Sequence, residues 1–319
     1  MTVSRRALLR SGLALPLAAL GGIRTRASEP VTIRIGVLKL VHSITPYFYE
    51  RYLPDGYKID IIPFSTPTDG KDAVVTKSVD YGTFGIAAAI LGAASSQPVV
   101  VYGSECNKGM AVVARKDDAS INAITDLKDK KVGILTGTTQ QVFFLERLRM
   151  VGMKESDIVS VRVAFADMPG ALQRGDIDAY VGAEPGPSLS LVSGVGKIVE
   201  YPYSTPMGSL NMVLATHQDR IKEKPDEVTM MLGLQRQASA YAMSKPDEIV
   251  SMTVAKLGLD KAAVAKAIDN VELNWEMTPK MVGEVKAYAD HMLELRQIRN
   301  LPDFDALLNP GPSEKLAKA

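Results

Sequence analysis

Cysteine, histidine and aromatic residues are scarce in this sequence. Among 319 residues there is one cysteine, Cys106, and there are three scattered histidines, His42, His217 and His291. A single thiol can form no disulfide within the chain, so hydrophobic cores must hold the fold. It also excludes a metal site built from thiolates, and the histidines lack metal-ligand spacing. Aromatic residues make up only 6%, which disfavours a cleft that stacks on a large flavin-like ring.

The sequence also has no large excess of positive or negative charge and contains neither of two common catalytic motifs. The first 27 residues carry five of the 37 basic residues and no acid, so 32 basic and 36 acidic residues remain, a net charge of −4. A mildly acidic chain without a basic stripe argues against a nucleic-acid partner. Neither a G-x-S-x-G elbow nor a phosphate-binding G-x-x-x-x-G-K loop is present. The sequence therefore predicts no enzyme, no cofactor and no metal.

The N-terminus contains the pattern of an export signal. Arg5 and Arg6 precede two leucines, an apolar run extends from Gly12 to Ile23, and Thr25-Arg26-Ala27 fits a signal peptidase. The run is shorter than the roughly 20 residues that a membrane span needs. We interpret residues 1–27 as a twin-arginine signal peptide and expect a periplasmic protein.

Strands alternate with helices along the rest of the chain, and the pattern occurs twice. The first series begins at Val31 and ends near Tyr102, and the second begins near residue 125. Such alternation is typical of parallel, doubly wound α/β sheets. Ser78-Val79-Asp80-Tyr81 is echoed by Asp176-Ile177-Asp178-Ala179, 98 residues later. This offset exceeds the period of solenoid repeats, about 20–50 residues, and indicates two similar lobes.

Two similar strands, 110–115 and 212–216, lie where the chain would pass between these lobes. We therefore predict a two-segment hinge. Lobe one comprises residues 28–112 and 213–319, including C-terminal helices, and lobe two comprises residues 113–212. Helix starts at Pro225-Asp226-Glu227 and Pro246-Asp247-Glu248 support the helical C-terminal part.

The order of these parts resembles the periplasmic solute-binding proteins of ABC importers, in the branch that serves nitrate, sulfonate, taurine and thiamine-precursor uptake. The resemblance covers the mature chain and rests on six pieces: IRIGV, Asp80–Ala87, Ile124–Ile134, the G-T-T block at Gly137, the A-L-Q-R-G-D-I-D-A block and Glu184-Pro185. It implies the type II periplasmic-binding-protein fold, in which two lobes close on a ligand. The tryptophan often found beside the E-P step in this family is absent here.

Ligands of open α/β sheets lie beyond the carboxyl ends of the strands, where helix N-termini offer free N–H groups. With the resemblance, this placement predicts three walls of a ligand site. They are Gly137, Thr138, Thr139 and Gln140, for an anionic group; Phe84, Gly85, Ile86 and Ala87, the matching edge of lobe one; and Lys39, Leu40 and His42, in the loop after the first strand. Each wall has an alternative interpretation. The first could be an ordinary capped helix, the second strand–helix packing, and the third a solvated lysine and histidine.

Asp167 and Glu184 are expected to end strands of lobe two at the cleft. A Glu184 carboxylate that faces the ligand would favour an ammonium or hydroxyl group. The alternative role for Glu184 is a hinge strut paired with a lysine.

The resemblance implies a monomer that captures a small organic anion or zwitterion and delivers it to an ABC permease with its ATPase. Two other classes stay open: an enzyme on the same fold, similar to thiamine-pyrimidine synthases or menaquinone-pathway enzymes, and a ligand-sensing subunit for a membrane kinase. The single cysteine argues against a thiamine-pyrimidine synthase, because the resemblance implies that those synthases need a cysteine-rich motif.

Overall fold

The computed structural model describes residues 29–318, and their strands form two separate sheets. The predicted signal peptide, residues 1–27, lies outside the described residues. Within residues 29–318, no helix has the length and apolar character needed to cross a membrane.

The first sheet has six strands. They are β1 (Val31–Leu38), β2 (Tyr57–Phe64), β3 (Tyr81–Gly85), β4 (Val99–Lys108), β10 (Leu210–His217) and β11 (Val271–Leu273), in the spatial order β11-β4-β10-β3-β1-β2. β1 pairs in parallel with β2 and β3, whereas β10 runs antiparallel to β3 and β4. We call the part of the chain built on this sheet lobe one.

The second sheet has five strands. They are β5 (Met110–Arg115), β6 (Lys131–Ile134), β7 (Val159–Arg162), β8 (Ala179–Ala183) and β9 (Gly196–Glu200), in the order β7-β6-β8-β5-β9. β6 is parallel to β7 and β8, whereas β5 is antiparallel to β8 and β9. The part built on this sheet is lobe two.

The two α/β sheets confirm the predicted fold class, but neither sheet is purely parallel. β5 and β10 are the first strands that the chain forms after each passage between the sheets. Each lies antiparallel to neighbours that belong to its lobe's own alternating series. The chain enters each sheet from the side where the carboxyl ends of its parallel strands lie. The first strand that it forms there therefore runs antiparallel to them.

The helices are α1 (Pro67–Val75), α2 (Ile86–Ala94), α3 (Thr139–Met150), α4 (Met168–Arg174), α5 (Gly186–Val192), α6 (Gln218–Glu223), α7 (Pro225–Ser244), α8 (Pro246–Leu257), α9 (Lys261–Ala267), α10 (Pro279–Glu294), α11 (Phe304–Leu307) and α12 (Gly311–Ala317). The Thr66 hydroxyl accepts a hydrogen bond from the Asp69 N–H, so α1 begins at Pro67. A short polar residue before proline is a favourable helix start.

The repeat around Asp80 and Asp178 has the same structural role in both lobes. Asp80 directly precedes β3, and its Oδ2 accepts the N–H of Arg34 in β1 at 2.8 Å. Asp178 directly precedes β8, and its Oδ2 accepts the N–H of Lys131 at the start of β6, also at 2.8 Å. Each aspartate therefore ties the entry of one strand to the parallel strand beside it. The two aspartates differ in their ion pairs, because Asp80 also contacts the guanidinium groups of Arg34 and Arg220.

The C-terminal helices contact both lobes. α9 packs against α5, and α10 packs against α3. The rings of Phe143 on α3 and Tyr288 on α10 meet edge to face, with centroids 5.3 Å apart. One turn further along, the buried Glu146 carboxylate lies 3.2 Å from Nδ1 of His291. Helices that belong to lobe one by sheet topology therefore support lobe two as well.

Buried apolar side chains form one cluster that extends through both lobes, and a second cluster covers one face of the five-stranded sheet. The chain changes sheet at Gly109, between β4 and β5, and again between Glu200 and Leu210. The domain boundaries 112/113 and 212/213 stay a prediction.

We expect Asp80→Asn to lower the free energy of unfolding by about 1–3 kcal/mol, because it leaves two arginines without their carboxylate. Burial alone would raise the pKa of Asp80, but hydrogen bonds from Arg34 and the charges of Arg220 and Arg34 outweigh it and lower this pKa. The ionised carboxylate therefore stabilises the fold above about pH 4, and this contribution is lost as the pH falls through the lowered pKa.

Urea unfolding at pH 7 and at acid pH measures the effect, with Asp178→Asn as the matched control in lobe two. The difference between wild type and Asp80→Asn should shrink in acid. Equal losses for the two variants at pH 7 would contradict the role assigned to the arginines.

Candidate binding site between the lobes

A cavity of about 200 Å³ opens where the two lobes face each other. Lobe one contributes Lys39, Leu40 and Ser65 to its lining, and the loop before α9 contributes Leu259. Lobe two contributes Phe165, Ala166, Pro169, Ala183, Pro185, Gly186 and Leu189. Lys39 carries the only charge on a lining that is otherwise largely apolar. Pockets for drug-sized ligands measure about 300–1,000 Å³, so this cavity suits a smaller molecule.

The N-terminus of α3 faces the edge of lobe one at Gly85. A methyl group on Gly85 would lie 2.6 Å from the Thr139 hydroxyl oxygen. Thr138 caps the helix by accepting the N–H of Gln141 at 3.3 Å. The first N–H groups of a helix have no partners within it. The structure thus brings together two of the three predicted walls, one from each lobe, in van der Waals contact.

Asn211, at the start of β10, links these walls. Its backbone carbonyl accepts the Thr139 hydroxyl at 3.3 Å, and its side-chain oxygen accepts the Gln140 amide at 3.4 Å. Its own amide donates to the carbonyl of Lys108 at 2.6 Å. Asn211 therefore joins the helix start in lobe two to the chain passage between the sheets.

His42, from the third predicted wall, lies next to Asn211. A methyl group on Gly109 would lie 2.9 Å from Nδ1 of His42 and 3.3 Å from the amide nitrogen of Asn211. Gly109 has a φ of 77°, so both its backbone conformation and the ring beside it favour glycine there. The His42 side chain is fully buried, and burial lowers its pKa to about 3. Its imidazole is therefore neutral.

The other predicted residues of lobe one and of α3 lie deeper. Phe84, Ile86, Ala87 and Thr138 are buried, and Phe84 packs against the α1 residue Gly70. A methyl group on Gly137 would lie 3.7 Å from the side chain of Leu91 in α2. These positions shape the contact between the lobes, whereas Lys39 and Leu40 line the cavity itself.

Glu184 follows β8 as predicted, but its carboxylate is held at the hinge. Oε1 accepts the side-chain amide of Asn270 at 3.1 Å, and Oε2 accepts the N–H of Ser188 at 3.1 Å. Burial raises the pKa of Glu184, and these hydrogen bonds offset the rise only in part. A separate cavity of about 240 Å³ lies beside this carboxylate. Its lining includes Glu184, Asn270, Tyr201 and Tyr203.

The prediction that Asp167 ends a strand is wrong. β7 ends at Arg162, and Asp167 closes a 3-10 turn that leads into α4. Its side chain is exposed, whereas its neighbours Phe165 and Ala166 line the cavity. The apolar stretch before Asp167 has the composition of a strand, but the chain turns before Pro169 instead.

Asn211 and Asn270 are the residues that sequence reasoning missed. Asn211 is the polar residue in an otherwise apolar strand start, LNMVLAT, at a point where the chain passes between lobes. That position was a usable signal, because buried polar side chains need partners. Asn270 offered no such signal, since it lies among helical residues far along the chain.

Comparison with known proteins finds relatives that are named as binding proteins. It is 24% identical, over 82% of its length and 84% of the relative's, to a protein of Escherichia coli (strain K12) named as an aliphatic sulfonates-binding protein. Its fold is similar to that of the alkanesulfonate-binding protein SsuA from Xanthomonas axonopodis pv. citri bound to MOPS, with a TM-score of 0.77 and 18% identity, covering 88% of this chain and 100% of that one.

A shorter similarity is to a protein named as an enzyme. The chain is 28% identical, over 44% of its length and 43% of the relative's, to the 4-amino-5-hydroxymethyl-2-methylpyrimidine phosphate synthase of Aspergillus parasiticus. The family model described as NMT1/THI5 like matches residues 48–249, which is more than half of the chain. On this match, the protein belongs to the NMT1/THI5-like family.

Proposed function

We propose that this protein is the periplasmic solute-binding component of an ABC-type importer. It captures a small organic anion or zwitterion, such as a sulfonate, taurine, nitrate or a related carboxylate, between its lobes and delivers it to a membrane permease with its ATPase. The sulfonate-binding names of the relatives in the sequence and structure comparisons support this proposal.

The observation that carries the proposal is the contact across the cleft. Gly85 of lobe one touches Thr139 of lobe two, and both lobes line a cavity whose only charged lining residue is Lys39. One cation among apolar side chains suits a small anion with an apolar part.

The hinge consists of the two passages of the chain between the sheets. We retain the boundaries proposed above, with lobe one at residues 28–112 and 213–319 and lobe two at residues 113–212. Export by the twin-arginine signal in residues 1–27 brings the protein to the periplasm, where it acts as a monomer. Hinge closure around a ligand is a common motion of two-lobed binding proteins.

An enzyme of the synthase type is the second candidate, because the partial similarity to the pyrimidine synthase favours it. The single cysteine, Cys106, is fully buried, and burial raises the pKa of its thiol well above the usual value. Such a thiol is a poor nucleophile. Mass spectrometry of a bound ligand after incubation distinguishes the candidates, since a binding protein returns it chemically unchanged. A sensor role would show as docking of the liganded protein to a membrane kinase.

We expect a ligand of this class to raise the melting temperature of the mature protein. At a ligand concentration of about 100 times Kd, mass action adds about 2.7 kcal/mol, which corresponds to roughly 5 °C or more. Differential scanning fluorimetry measures the shift for ethanesulfonate, taurine, nitrate, short carboxylates and pyrimidines, with sodium chloride at equal ionic strength as the control. If no compound in this panel shifts the transition, the transport proposal is wrong.

We expect Lys39→Gln to weaken the binding of an anionic probe about three- to tenfold, because the cavity then has no positive charge. The loss should be smaller at 0.5 M salt, where screening already weakens the attraction. Isothermal titration calorimetry measures Kd, and Lys58→Gln, an exposed lysine on β2, is the matched control. Equal affinities for the two variants would remove Lys39 from the site.

Gly85→Ala tests the closed contact between the lobes. The added methyl group collides with Thr139 only when the lobes meet, so it should favour the open form and weaken ligand binding about tenfold. Gly283→Ala is the control, because a methyl group there meets no atom within 4 Å. Small-angle scattering of the free protein should show a larger radius of gyration for Gly85→Ala alone. An unchanged Kd and radius would argue against closure at this contact.

A further inference from the structure

His42 is a buried side chain without hydrogen-bond partners. Neither ring nitrogen makes a hydrogen bond to any residue in the range 29–318, although the side chain has no exposed area. A buried polar group without a partner costs free energy comparable to a lost hydrogen bond. Such a cost is expected at a binding site, where the ligand supplies the missing partners.

His42 lies beside the contact between the two lobes. Its ring lies against the Gly109 passage and near the amide of Asn211, whose other contacts are Thr139 and Gln140 at the start of α3. Lys39 and Leu40, in the same loop as His42, line the cavity between the lobes. The ring itself lies behind this lining, so a ligand reaches it only when the contact between the lobes opens.

The chemistry of the ring selects the group that it can contact. Burial lowers the pKa of the His42 ring, so the imidazole is neutral at pH 7. A neutral imidazole has one N–H donor and one acceptor nitrogen. A hydroxyl group likewise donates one hydrogen and accepts others. An anion could use only the N–H, and an ammonium group could use only the acceptor.

We propose that His42 determines specificity by hydrogen-bonding an uncharged polar group of the ligand, a hydroxyl or an amide, that is separate from its anionic group. This inference rests on the proposed transport function and names the ligand class: short organic anions with a second, neutral polar substituent. Lys39 serves the anionic end, and His42 serves the neutral end.

The test compares matched probes that differ by one hydroxyl. Titration calorimetry at pH 7 gives Kd for 2-hydroxyethanesulfonate against ethanesulfonate, and for 3-hydroxypropanesulfonate against propanesulfonate, with the full mature chain. We expect at least one hydroxylated probe to bind about tenfold more tightly than its partner. His42→Phe should abolish this preference while leaving the unsubstituted sulfonates within about threefold. His42→Gln, which keeps a donor and an acceptor, should retain part of the preference.

Several results would overturn the inference. They are equal Kd values within both wild-type pairs, a preference that persists in His42→Phe, and ethanesulfonate binding that tightens about tenfold for each unit of falling pH, since the ring would then take up a proton to meet the anion. Equal binding within both pairs refutes only the role of His42, whereas failure of all four sulfonates and of the wider anion panel refutes the transport function as well. Because the wild-type comparison needs no variant, a folding defect in His42→Phe cannot obscure the result.

Discussion

Asn270 holds both passages of the chain between the sheets, and the arrangement of the lobes depends on it. Its amide donates to the carbonyl of Met110 and to Glu184, and its backbone carbonyl accepts the N–H of Gly109 at 2.6 Å. Its side-chain oxygen accepts the hydroxyl of Tyr203 from the second passage at 2.7 Å. One side chain thus satisfies polar groups from three segments in a place that water hardly reaches, where an unpaired group would be costly.

The contacts at the two chain passages differ from the contact between Gly85 and Thr139. The passages are held by hydrogen bonds among buried groups, whereas Gly85 and Thr139 meet by a close approach of small residues. In the proposed function the lobes part at this contact, which breaks the hydrogen bonds from Thr139 and Gln140 to Asn211. Lys39, the charged residue of the cavity lining, is exposed, so in the proposed function an arriving anion would meet it first.

The sequence was sufficient to predict the two lobes, because strand–helix alternation and the Asp80/Asp178 repeat are local patterns. It also indicated the strands that follow each passage, and it suggested that Gly137–Gln140 and Gly85 face each other. It could not predict the direction of Glu184, which turns toward Asn270, 86 residues further along the chain. Such pairings depend on the packing of whole lobes, which local sequence patterns do not encode.

The attachment of α10 to α3 bears on how the cleft can open. Phe143 and Glu146 are bound to α10, while Thr139, at the other end of the same helix, reaches the cleft. If this attachment persists when the lobes part, α3 rotates about the contacts that Phe143 and Glu146 make with α10. The N-terminus of α3 then moves farthest, while the contacts beside α10 hardly change.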